Sequence, residues 1–169
     1  MYLSVNQVYS KSDSQLAKVE TNDCVVRSIA SAANVAYDVA HSFCKEVFKR
    51  ENKKGVNGFM IKAQMLNAEE KGLKIGNKDF SVAVLGKTDI KNKYKVKGEV
   101  IWRQKTLKSF IETHPKGTYL VTVAKHALTV KDGELLDWGT NSFLPTRKVQ
   151  AAYKLENNNT DGLQLSFNF

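Results

Sequence analysis

The feature that most constrains the fold is a change of period along the chain. Up to about Thr113 the apolar residues recur chiefly at helical spacing, and from Tyr119 onward they recur at strand spacing. Val25, Val26, Ile29, Ala30, Ala32 and Ala33 outline a helix from Cys24 to about Ala33. Val39, Ala40, Phe43, Val47 and Phe48 stripe a second helix, from Tyr37 to about Glu51, with Cys44 beside the stripe as a core residue. The glycine turn at residues 52–58 precedes a third helix, Phe59 to about Lys71, which Gly72 ends. A fourth, Thr106 to Thr113, is capped by Thr106 and stopped by His114-Pro115. Phe80–Leu85 reads as a strand, and Val100-Ile101-Trp102 as a short one. Then come Tyr119–Val123, Ala127–Val130, an Asp132-Gly133 hairpin signal, Glu134–Trp138, Val149–Leu155 and Leu163–Phe167. Helices followed by an antiparallel sheet give the α+β class.

At 169 residues one domain with a real core is expected, without disulfides or metal. Residues 1–20 read as a polar N-terminal arm or weak edge strand, and 86–105 as a basic insertion. Two cysteines are too few for a disulfide framework and suit free thiols in a reducing compartment. No Cys/His group has zinc spacing, and no cofactor is expected. Neither a signal peptide nor an apolar run of membrane-spanning length is visible, so a cytoplasmic location and no membrane partner are expected.

The net charge of +9 is concentrated. Lys87, Lys91, Lys93, Lys95, Lys97, Arg103, Lys105 and Lys108 stand against only Asp89 and Glu99. Such a run is most often a solvated loop, and it also suits an acidic protein or peptide. Few arginines and little aromatic interleaving beyond Tyr94 and Trp102 make nucleic acid the lesser reading.

Chemistry is suggested where the polar run Thr21-Asn22-Asp23 meets Cys24 and the first helix. With Asn22 or Asp23 as N-cap, Cys24 falls in the first turn, where unpaired N–H groups and the helix dipole favour a thiolate. The same groups suit an oxyanion formed beside the sulfur. Taken singly, a helical cysteine is more often a small buried residue, and His126 and Asp137 are equally ordinary. Together they become informative. If residues 130 and 135 pair across the Asp132-Gly133 turn, His126 and Asp137 lie at the same end of that hairpin, close enough for the carboxylate to fix the imidazole tautomer. Trp138 would shield that bond from water, while His41 reads as structural.

The order Cys…His…Asp, with residues 22–30, 126–133, Asp137-Trp138 and the helix–strand segment 110–121, resembles the papain-like cysteine peptidase superfamily, in particular its small stand-alone members, many of them from bacteriophages. The resemblance covers roughly Asn22 to Asp137. It implies a papain-like α+β fold, Cys24 as nucleophile, His126 as general base then acid, and Asp137 as the orienting residue. A phage-encoded protein of this kind would work in the host cytoplasm. The superfamily's oxyanion-hole glutamine has no well-placed counterpart: Gln15 lies far upstream, and Asn22 is the nearer amide.

The leading expectation is a thiol hydrolase cleaving a peptide or isopeptide bond through an acyl-enzyme, on a protein or peptide substrate. A deamidase, transglutaminase or acyltransferase would use the same triad. The other class is a binding or inhibitor protein built on an inactive scaffold, for a host protein or a nucleic acid.

Overall fold

The computed structural model describes residues 5–7, 14–137 and 144–159. In chain order the elements are β1 (Val5–Gln7), α1 (Gln15–Val19), α2 (Cys24–Ala33), α3 (Tyr37–Val47), α4 (Gly58–Lys71), β2 (Leu73–Ile75), β3 (Lys78–Val84), α5 (Lys87–Ile90), β4 (Lys91–Val96), β5 (Glu99–Gln104), α6 (Leu107–Thr113), β6 (Thr118–Val123), β7 (His126–Lys131), β8 (Glu134–Asp137) and β9 (Ala151–Asn157). Helix and strand are mixed, as the period change predicts. No helix among the described residues is long and apolar enough to cross a membrane.

A seven-stranded sheet, in the order β1-β8-β7-β6-β9-β3-β2, separates two apolar cores. Alternation along β6 feeds both: Leu120 packs with the core under α2, α3 and α4, while Val121 and Val123 pack with Leu107, Phe110 and Ile111 of α6. Helix α2 is almost wholly buried and made of small and β-branched residues, which lets it lie close against the sheet. Thr129 of β7 donates its hydroxyl to the Ser28 carbonyl of α2 at 2.7 Å, a fully buried link between residues 101 apart. Thr129→Val should therefore lower stability by about 1 kcal/mol, read as a fall in Tm of roughly 2–4 °C.

The sheet departs from an antiparallel C-terminal block in two ways. β2 and β3 enter from the middle of the chain, and β1 runs parallel to β8, with Gln7 opposite Asp137. The N-terminal arm thus does supply an edge strand, but it also contains α1. Ser14 caps that helix by accepting from the Ala17 amide at 3.1 Å, and Ala17 is buried. Helix α3 stops at Val47 rather than near Glu51, because Lys49 takes a left-handed conformation (φ 56°) and Arg50 turns inward to a buried carboxylate. The stretch 91–104, read as a solvated loop with one short strand, is a full antiparallel hairpin apart from the main sheet. Its turn is Lys97-Gly98, both at positive φ (50° and 81°), the same geometry as Asp132-Gly133 (47° and 81°). Trp138 and the expected strand Leu163–Phe167 lie outside the described residues.

Candidate active site

Cys24 is the first residue of α2 and is partly exposed. The preceding loop is built so that the helix's first N–H groups stay available. Asp23 occupies the N-cap position but makes no side-chain cap. Its carboxylate turns inward, accepting from Arg27 Nε at 2.9 Å and from the Tyr37 hydroxyl at 2.7 Å. With that oxygen withdrawn, the Val25 amide is free to donate to the Cys24 sulfur.

His126 opens β7 across from this helix end. The Val130↔Leu135 register puts His126 and Asp137 at the same end of the hairpin, as the turn signal predicts, with Nε2 2.7 Å from Asp137 Oδ2. The carboxylate is buried and the imidazole about a quarter exposed. With Nε2 on the carboxylate, the other ring nitrogen is left for Cys24, with which His126 shares a second hydrogen bond.

Burial alone would push the Cys24 thiol up. The hydrogen bond from His126, the amide of Ala127, the charge of the imidazolium and the Val25 amide together outweigh it, and the thiol lies below its ordinary value. His126 moves the other way. Its bond to Asp137, then that to Cys24, raise it to about 9 against the opposing effect of burial. The two opposite shifts favour the thiolate–imidazolium form of the pair. Cys44 has no such partners; burial pushes it up to about 12.

The sulfur opens into a cavity of about 320 Å³. Asn22, Gly55, Val56 and Ile61 line one side, and Thr122, Lys125, His126 and Gln150 the other. Asn22 thus reaches the cavity, in a left-handed conformation (φ 52°), with its amide donating to the Lys53 carbonyl at 3.1 Å. That bond uses one of its two N–H groups.

A buried ionic cluster fixes the loop before Cys24. Glu20 and Arg50 are only 2 % and 4 % exposed and form a direct ion pair. Arg50 Nη2 also donates to the Thr21 carbonyl at 3.1 Å, and the Lys53 amide donates to Glu20 at 3.3 Å. His41 is buried beside the cluster, its Nε2 3.7 Å from Glu20 and beyond hydrogen-bond reach. The 20–23 loop and the 50–57 loop are thereby tied together at the cavity wall.

Sequence reasoning misses the Ala127 amide, Gln150, and the Glu20–Arg50 tie. A backbone donor carries no residue signature, and Glu20 and Arg50 are thirty positions apart. Comparison of the chain with protein-family models, with curated proteins and with solved structures finds no match.

Proposed function

We propose that this protein is a thiol hydrolase of papain-like type, acting on a peptide or isopeptide carbonyl. The observation that carries the reading is the Cys24–His126–Asp137 chain at a cavity, with the thiol lowered and the imidazole raised. The Cys24 thiolate attacks the carbonyl carbon, and the developing oxyanion is held by the Cys24 amide and Asn22. His126 passes its proton to the leaving amine, and the sulfur keeps the acyl group. His126, now neutral, takes a proton from water, whose oxygen attacks the thioester and returns the thiolate.

The test needs no knowledge of the natural substrate. Incubation with p-nitrophenyl acetate followed by intact-mass and peptide-level mass spectrometry should show one acetyl group, on Cys24, and none on Cys44. His126→Ala should abolish that adduct. Acetylation spread equally over both cysteines, or absent from both with no His126-dependent release of p-nitrophenol, overturns the reading. Added amines that intercept the acyl group faster than water would move the protein to the acyltransferases. Asp137 acts through His126 as a positioning residue. Asp137→Ala should lower kcat at least about tenfold and shift the alkaline limb of the pH profile to lower pH, because the bond that raises His126 is lost.

A further inference from the structure

The β4–β5 hairpin uses none of its side chains in the site described above, yet it carries a dense positive charge. Residues paired across an antiparallel ladder share a face. The register places Lys91 opposite Gln104, Lys93 opposite Trp102 and Lys95 opposite Val100, so three lysines, an indole and an apolar residue occupy one face. Lys87 adds to it, with Nζ 4.6 Å from the centroid of the Trp102 ring. The other face leans at its root on α6, where Asn92 Nδ2 donates to Ser109 Oγ at 3.3 Å. Toward the turn Lys93, Lys95, Lys97 and Val100 are exposed, while Lys91 and Trp102 nearer the root are half-buried. Farther along that other face Tyr94 is 45 % exposed beside the Arg103 guanidinium, 5.7 Å from its ring.

We infer that this hairpin is a docking ribbon for single-stranded nucleic acid. Lysines two residues apart on a strand stand about 6.8 Å from one another, a repeat that an extended chain with one phosphate per nucleotide can follow. Trp102 in the middle of the row supplies what an acidic polypeptide does not need, an aromatic ring among the cations on which an unpaired base stacks. Paired bases in a duplex offer no such face. In the linear sequence Trp102 stands nine residues from Lys93; the hairpin register brings the two side by side.

The ribbon also has a fixed place relative to the cleft. Its last strand leads into Lys105, whose amide donates to the Ile90 carbonyl and whose carbonyl accepts from Val149, each at 2.9 Å. The next residue, Gln150, lines the cavity and donates to the Thr122 carbonyl at 2.8 Å. These bonds tie the root of the ribbon, at Lys105, to the segment that carries Gln150.

Fluorescence anisotropy of a labelled 20-nucleotide oligo(dT), titrated with the full chain from 50 to 200 mM salt, tests the inference. Lys91→Gln/Lys93→Gln/Lys95→Gln should weaken binding at least about tenfold and flatten the log–log salt slope by about 2, since each phosphate contact contributes roughly 0.7. Trp102→Leu should weaken it at least about fivefold at unchanged salt slope. The control Lys18→Gln/Lys45→Gln/Lys62→Gln removes equal charge from three exposed helical positions and should change affinity less than twofold. Equal losses in control and hairpin variants overturn the inference, as does no binding at 50 mM salt. A 20-residue polyglutamate that binds as tightly as oligo(dT) would make the partner an acidic polypeptide, and an equally tight 20-base-pair duplex would remove the stacking argument.

Discussion

Iodoacetamide at pH 6.5 should alkylate Cys24 completely before any Cys44 reacts, and His126→Ala should slow the Cys24 reaction at least about tenfold. The sign follows from the shifts. The thiolate is the reactive form, and its fraction falls only when pH drops through the Cys24 value, which lies below the ordinary thiol. Cys44, pushed up to about 12 and buried, carries almost no thiolate anywhere below pH 9. Removing His126 takes away both its hydrogen bond and its charge, leaving burial opposed only by the Ala127 and Val25 amides. Turnover should add a second limb that alkylation lacks. Above about pH 9 the imidazolium loses its proton, so the leaving amine is no longer protonated, while the sulfur remains anionic. A kcat/KM profile that falls on both sides, over an alkylation profile that falls only on the acid side, is the expected pair of curves. Equal, slow labelling of both cysteines would instead mark a binding scaffold with no activated thiol.

Much of this site is legible in the chain because its parts are local signals. A cysteine directly after Thr-Asn-Asp, an apolar helix behind it, and an Asp-Gly turn between two apolar runs fix Cys24 at a helix start and put His126 and Asp137 at one end of a hairpin. The same rule, two residues at positive φ between strands, also operates at Lys97-Gly98, but a lysine in the first turn position hides it. Hence the 91–104 hairpin reads as loop. Tertiary partners are hidden for a different reason. Asp23 looks like an N-cap and would be one in an isolated helix, but Tyr37 and Arg27 draw its carboxylate inward. A cap satisfied by the side chain would have competed with the sulfur for the first-turn N–H groups, so this failure of local propensity favours the thiolate.

Arg50→Met should lower stability by about 3–5 kcal/mol, because it strands the Glu20 carboxylate at 2 % exposure with its ion-pair partner gone. For a chain of this size that is a fall in Tm of roughly 6–20 °C. Loss of stability alone would make the pair a packing detail. The double variant Glu20→Leu/Arg50→Met separates the two roles. With no stranded charge it should regain most of the lost stability, since a buried ion pair replaced by apolar side chains of similar volume is often neutral. Loop placement should not return with it. The Thr21 carbonyl loses the Arg50 donor, the Lys53 amide loses the Glu20 acceptor, and Asn22 is then held to the 50–57 loop without that support. Acetylation of Cys24 by p-nitrophenyl acetate should therefore stay at least about tenfold slow in a protein that melts near the wild-type temperature. Recovery of both stability and acylation would show that Glu20 and Arg50 fill space and do not position the loop before Cys24.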